Sequence, residues 1–211
     1  MSDRRLTLAI DTCLEALSVG LSDGERVLAA SEVIGVGHAE HLAPKVSALL
    51  KEYGAGPGDV TDVIATVGPG SFMGTRVGLS FAMGFALPRR LPTRPITTLD
   101  ALWLSAPEGA SGAVLIDARR DQVYGRIFGP GETGAPFILD IEDARVRTED
   151  VSDRVLIGSG ATLVWPKGTV TGPRTPDIEA LLGHTAQIVP APLRPLYLRP
   201  PDARPMKERT I

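Results

Sequence analysis

Two aspartates, Asp11 and Asp117, each close an apolar run: Leu6-Thr7-Leu8-Ala9-Ile10-Asp11 and Ala113-Val114-Leu115-Ile116-Asp117. An acid at a strand end can face a phosphate and its metal ion, or it can simply cap the turn that follows. His38 and His41, three apart at the start of a helical pattern, could share a face and bind a metal. A zinc site needs three or four ligands, however, Glu40 points elsewhere on the helix, and the remaining histidine is the distant His184. Polar residues at a helix N-terminus, with His38 or Glu40 helping to cap, is the better reading, and no His-Glu-x-x-His is present. Gly68-Pro69-Gly70-Ser71 precedes a helix whose first amides could accept an anion, but it lacks the lysine of a phosphate-binding loop. Arg76, one turn into that helix, could reach a phosphate or carboxylate across an interface. The single cysteine, Cys13, excludes an internal disulfide and a thiolate zinc cluster, and with no adjacent base it is a poor nucleophile.

The elements that must position these residues are legible in the pattern. Leu17 to Leu21 follows the first run, Asp23-Gly24 is a hairpin turn, and Val27 to Val33 is a third strand, so the chain opens as a β-meander. Leu42, Val46, Leu49, Leu50 and Tyr53 recur at helical spacing, with Pro44 in the first turn and Gly54 past the end. Val63 to Val67 is another strand, a helix continues to about Leu87, and Pro95 to Thr97 and Leu99 to Leu104 start a short strand and a helix. The opening then recurs about a hundred residues on: a run ending in Asp117, a polar turn, and a strand from Gln122 to Phe128. One clear helix near Asp177 to Ile188 and a proline-rich tail, Pro190 to Pro205 with Tyr197 as its anchor, complete the chain. A repeat of that length implies duplicated lobes. The expectation is an α/β, two-lobed actin-like (RNase-H-like) ATPase fold with a reduced second lobe, divided into residues 1–104 and 105–211. In that architecture a nucleotide lies between the lobes, with the two aspartates facing its phosphates.

Composition narrows the function. The 211 residues are 43% hydrophobic, enough for real cores. No run reaches membrane-span length and the N-terminus has no apolar signal segment, so the cytosol is the expected compartment. Lys+Arg number 22 against 25 acidic residues, a net charge of −3. A protein that grips RNA alone usually has a basic face, so any RNA is expected to be held mainly by something else.

The segment 74–87 is the most informative. Each interior glycine costs a helix about 1 kcal/mol relative to alanine, and Gly78 and Gly84 both sit inside. Gly74, Gly78 and Ala82 form a small-residue strip flanked by Phe81 and Phe85, while Leu79, Met83 and Leu87 form a second apolar stripe. A helix apolar on both sides is buried on both sides. The expectation is that the stripe packs on the lobe's own sheet and the strip admits a partner's helix. The alternative is that the chain itself fills the strip.

Leu8-Ala9-Ile10-Asp11-Thr12, His38-Ala39-Glu40-His41-Leu42-Ala43-Pro44, Val67-Gly68-Pro69-Gly70-Ser71-Phe72-Met73-Gly74-Thr75-Arg76-Val77-Gly78, Leu115-Ile116-Asp117-Ala118-Arg119 and Pro195-Leu196-Tyr197-Leu198-Arg199 resemble the TsaB (YeaZ) family, in order and spacing, across nearly the whole chain. The Gly-Pro-Gly-Ser-Phe-x-Gly-x-Arg-x-Gly string is the specific part. The resemblance implies a non-catalytic scaffold subunit paralogous to TsaD, which transfers a threonylcarbamoyl group to the adenosine beside the anticodon of tRNA. It implies pairing with TsaD, joined by the ATPase TsaE, through helices matching 42–53 and 74–87, and a homodimer through the same face when TsaD is absent. The implied interface is Leu42, Val46, Leu49, Gly70, Ser71, Phe72, Gly74, Arg76, Gly78, Phe81, Ala82 and Phe85. Asp11, Thr12 and Asp117 would be a vestigial phosphate site, no cofactor would be firmly bound, and any ATP or ADP contact would form at the interface shared with TsaD. TsaD carries a metal-binding His-x-x-x-His after its glycine helix, whereas Pro95 to Leu102 here contains no histidine. The competing readings are an autonomous metallopeptidase-like or ATPase enzyme, or a regulatory homodimer.

Overall fold

The computed structural model describes residues 5–35, 37–129, 134–151, 154–168 and 170–200. Strands β1 (Leu6–Asp11), β2 (Ala16–Ser22) and β3 (Val27–Val33) form an antiparallel meander, as their turn residues direct. Helix α1 (His38–Tyr53) leads to β4 (Val60–Thr66), parallel to β1, and α2 (Phe72–Ala86) leads to β5 (Thr93–Ile96), parallel to β4. The sheet order is β3-β2-β1-β4-β5.

After α3 (Thr98–Trp103) the pattern repeats in a second sheet. Its strands are β6 (Gly112–Arg119), β7 (Gln122–Phe128), β8 (Phe137–Asp140) and β9 (Val155–Ile157), in the order β8-β7-β6-β9. Helices α4 (Ile141–Arg147) and α5 (Ala161–Val164) flank β9, with β6 and β9 parallel. The order of four strands is the same in both sheets, and among the described residues no fifth joins the second. This is the expected two-lobed α/β arrangement with a reduced second lobe.

Residues of period two explain both cores. In β1, Leu8 and Ile10 point to the face covered by α1 and α2, whereas Ala9 points to the other, where it meets Ile178, Leu181 and Leu182 of α6 (Ile178–Gly183). In β6, Val114 and Ile116 meet Leu99 and Leu102 of α3, while Ala113 and Leu115 meet Ala144, Ala161 and Val164 of α4 and α5. Gly20 in β2 has no Cβ because α6 lies there: one would fall 2.7 Å from Leu182 Cδ1.

Two helices cross the expected division at 104/105. Helix α3 packs on the second sheet, and α6 returns from the far end of the chain to the back of the first. Its return is held by Arg94, which donates from Nε to Asp62 Oδ1 at 2.8 Å and from its guanidinium to the Ile188 carbonyl at 2.5 Å. The expected cap at the start of α1 is not made by a side chain. The N-cap is Gly37 in the left-handed region (φ 89°), with no side-chain hydrogen bond, and His38 is buried instead.

Residues 190–200 run as an extended strap across both lobes; 201–205 of the expected tail lie outside the described residues. Ala191 N donates to Thr93 O at 2.9 Å and Leu196 N to Val67 O at 2.7 Å on the first lobe. Arg199 then donates to Gln122 Oε1 at 2.8 Å on the second.

Candidate functional site

Helix α2 is seated by the turn that follows β1. Ser71 caps it, accepting from Gly74 N at 3.2 Å, and Ser71 N donates to Cys13 O at 2.7 Å. Thr12 Oγ1 donates to Gly74 O at 2.7 Å. A Cβ on Gly74 would collide with the Thr12 carbonyl, one on Gly78 with Thr12 Oγ1, and one on Gly70 with the Cys13 carbonyl. Ala82 is fully buried in the same core.

The small-residue strip therefore faces inward, which corrects the expectation. The glycines let α2 approach its own sheet, and a partner helix cannot reach Gly74, Gly78 or Ala82. Leu42, Val46 and Leu49 are likewise 1%, 2% and 5% exposed, facing the same core from α1. Of the expected interface residues, Ser71, Phe72 and Arg76 are exposed, and Gly70, Phe81 and Phe85 are half-buried.

What α2 turns outward is its other apolar side. Phe72, Met73, Met83 and Leu87 are 54%, 66%, 52% and 76% exposed, with Arg76, Ser80 and Gly84 exposed among them. At about 100° per residue these seven fall on a single arc. A Cβ on Gly84 would meet nothing within 4 Å, so this glycine, unlike Gly74 and Gly78, has no explanation inside the chain. Beside the arc, Phe81 and Phe85, stacked at 6.0 Å, line a groove of about 360 Å³ against Ala43, Ser47 and Leu50 of α1 and Pro57 beyond it. The pattern contained Met83 and Leu87, but a helix with two apolar sides does not say which is inward. The contact with Thr12 decides it.

A second concavity, of about 1160 Å³, lies between the lobes. Its walls come from Glu15, Gly70 to Phe72, Thr75 and Arg76 on one side, Ile116 to Arg119, Tyr124 and Ser159 on the other, and strap residues Leu196 to Pro200. Asp117 lines it; its Oδ1 accepts from Arg119 N at 2.7 Å and its Oδ2 pairs with the Arg119 guanidinium at 3.1 Å. Arg119, Arg120 and Asp121 all take left-handed backbone angles (φ 62°, 57° and 55°), a costly conformation for non-glycine residues that fixes this turn at the cleft wall.

Asp11 does not join Asp117 there. Its side chain is completely buried; Oδ1 accepts from Thr66 Oγ1 at 2.5 Å and from Cys13 N at 3.2 Å, and Oδ2 has no partner among the described residues. Burial pushes its carboxyl above the ordinary range, outweighing the Thr66 and Cys13 hydrogen bonds. Burial, and then the Asp11 charge, push the Cys13 thiol up to about 11, so it is a poor thiolate. Thr12 is 1% exposed and spends its hydroxyl on α2. The expected phosphate trio is thus not gathered: Asp11 and Thr12 hold the fold together, and Asp117 alone faces the cleft.

The three histidines are equally separate. His38 is buried with Nε2 unpartnered among the described residues, His41 is exposed, and His184 Nδ1 lies 2.8 Å from the Ala180 carbonyl. Among the described residues no group of three or more His, Cys, Asp or Glu could hold a metal ion, and no helix is long and apolar enough to cross a membrane. Tyr197 is 46% exposed, not a buried anchor; its hydroxyl accepts from Arg76 Nε at 3.1 Å and its ring lies 5.6 Å from that of Phe72.

Comparison with known proteins gives a consistent picture. The family model described as TsaD, tRNA N6-adenosine threonylcarbamoyltransferase, matches residues 32–130. The tRNA threonylcarbamoyladenosine biosynthesis protein TsaB of Escherichia coli is 32% identical over 194 residues, 87% of this chain and 84% of that one. Its Haemophilus influenzae counterpart is 35% identical over 120 residues, 56% of this chain and 51% of that one. The solved structure of YeaZ from Pseudomonas aeruginosa superposes with a TM-score of 0.77 at 30% identity, covering 92% of this chain and all of that chain.

Proposed function

The chain belongs to the TsaB family of tRNA threonylcarbamoyladenosine biosynthesis proteins, and from that membership we propose that it serves in the cytoplasm as the non-catalytic scaffold subunit of threonylcarbamoyl transfer to tRNA. On this reading it docks on a TsaD-type transferase, the ATPase TsaE joins the pair, and a homodimer forms through the same face when TsaD is absent. Any ATP or ADP contact belongs to the interface shared with TsaD.

The observation that carries the reading is the outward arc of α2. Phe72, Met73 and Met83 of α2, and Leu87 at its C-cap, are all more than half exposed. Large apolar side chains exposed along one side of a helix, here with Arg76 and Ser80 between them, mark a protein interface. Gly84 adds to it: a helix gives up about 1 kcal/mol to carry an interior glycine, and here the gap opens to solvent, where a second backbone can come close. The interface is accordingly proposed on Phe72, Met73, Arg76, Ser80, Met83, Gly84 and Leu87, with Phe81 and Phe85 at its groove side.

The test is to mix purified chain with its TsaD and measure mass by light scattering after gel filtration. A mixed complex is expected. Met83→Asp and Leu87→Asp, which alter exposed positions and leave the melting temperature nearly unchanged, are expected to weaken it at least tenfold. A complex that survives both substitutions, or no complex with the unaltered chain, overturns the proposal.

A further inference from the structure

The strap, residues 190–200, ties helix α2 to both lobes. On the first lobe Ala191 is bonded to Thr93 in both directions, its N–H donating at 2.9 Å and its carbonyl accepting from the Thr93 hydroxyl at 2.8 Å. Leu193 is buried in the core beneath α1 and α2, and Leu196 N donates to Val67 O. Tyr197 then engages α2, its hydroxyl accepting from Arg76 and its ring beside that of Phe72. Leu198 packs on the second lobe's core of Leu99, Leu102 and Ile116. Arg199 donates to Gln122 Oε1 at 2.8 Å and to the Arg119 carbonyl at 3.4 Å. Gln122 is itself fixed, donating to Asp140 Oδ1 at 3.0 Å.

Tyr197, Leu198 and Arg199 are consecutive, and two steps of chain reach at most about 7 Å. Arg76 and Gln122 therefore cannot separate far while both ends of the strap hold. The chain also passes between the lobes after β5 and again before α6. Lobes joined by such crossings rotate about them. The strap is placed to oppose that rotation, because Leu196 to Pro200 form part of the cleft wall. The ion pair of Glu15 and Arg174, at 3.4 Å with both side chains well exposed, is a weaker tie. Opening the cleft must break a strap contact: Tyr197 leaves Arg76, or Arg199 leaves Gln122.

We propose that the strap is a latch which sets the spacing of the lobes and couples it to the docking helix. The coupling rests on the docking reading of α2, since Phe72 and Arg76 belong both to the outward arc and to the anchor of Tyr197. A partner seated on that arc excludes water from the bond between Arg76 and Tyr197, and such a bond is stronger in drier surroundings. Docking thus tightens the latch and stiffens the lobes. Coupling is reciprocal, so loosening the latch weakens docking by the same factor.

The experiment places spin labels on the full chain at Glu25→Cys and Thr162→Cys, exposed positions on the first and second lobes. Cys13 is completely buried and stays unlabelled. Double electron–electron resonance should give one narrow separation, which Arg199→Ala loses. Gln122→Ala cuts the same bond from the other side and should lose it too. In a separate titration with TsaD, both variants should bind about fivefold more weakly, although both bonds of Arg199 go to the second lobe. Conversely, TsaD should slow amide exchange at Leu198 and Arg199 by about the same factor in the unaltered chain, and not in Tyr197→Phe. The latch is overturned if both variants keep the narrow separation. The coupling is overturned if they lose it yet bind TsaD as tightly as the unaltered chain, for the strap is then a static staple. Absence of any complex with the unaltered chain overturns the docking reading itself, and the coupling with it, and is told apart because no substitution is involved.

Discussion

Replacing Gly78 by leucine separates two accounts of α2 by the sign of a single number. If the small-residue strip faced a partner, as the sequence pattern suggests, Gly78→Leu would free the helix of an interior glycine, and the isolated chain would gain about 1 kcal/mol. The structure requires the opposite. The new side chain would enter the space of Thr12 Oγ1, with Ile10 Cγ2 behind it at 3.8 Å. Thr12 cannot rotate away without giving up its hydrogen bond to Gly74 O, worth about 1 kcal/mol. Overpacking of a tight core adds about 1–3 kcal/mol, so after the helix-propensity gain the net loss is about 2 kcal/mol. For a chain of 211 residues that lowers Tm by about 4–8 °C. Gly84→Ala on the same helix is the control: with open space at its Cβ position it should raise Tm by about 2–4 °C. Thermal melts of the three proteins followed by circular dichroism at neutral pH decide the matter. A Gly78→Leu protein that melts at or above the unaltered chain refutes the inward seating of the strip.

The buried carboxyl of Asp11 makes stability depend on pH in a definite direction. Because its folded pKa lies above the ordinary 3.8, the folded state holds a proton that the unfolded chain has released, so stability falls as pH rises through the interval between the two values. Asp11→Asn removes that dependence; urea titrations across pH 3 to 7 should show the gap between the two proteins shifting steadily in favour of Asn, and parallel curves would count against the assignment. Arg94→Leu strands Asp62, whose side chain is 6% exposed, without its ion pair. It should cost about 3 kcal/mol at neutral pH and loosen α6, with faster amide exchange at Leu181 and Leu182 as the signature.

Much of this fold was open to reading because its signals are local. The run ending at Asp11, the Asp23-Gly24 turn and the echo of both around Asp117 follow from strand alternation and turn chemistry. What escaped depends on contacts between distant residues. Gly78 looks the same whether it faces Thr12 or a stranger, so the strip was assigned to the wrong side while the helix itself was right. Asp11 and Asp117 end equivalent strands, and each accepts from the amide two residues on, but the first also accepts from Thr66, a strand away, and spacing does not reveal that contact. The short apolar cluster at Ile178 to Leu182 carries no mark of the sheet it belongs to. His38 resembled a polar cap because Gly37, in a left-handed conformation, left no side chain to announce that it had taken the position.

The return of α6 has a consequence for how the molecule is made. A ribosome delivers the first sheet early, but the residues that cover its back, Ile178, Leu181 and Leu182, emerge only after the entire second sheet. Throughout that interval the nascent chain carries an uncovered greasy surface around Ala9, Gly20 and Ile64, of the kind that recruits chaperones or seeds aggregation. Stop codons or proteolytic cuts between Ile157 and Ile178 should therefore yield insoluble fragments in place of a smaller working lobe, and the selective pressure on this far helix comes from the half of the protein synthesised first.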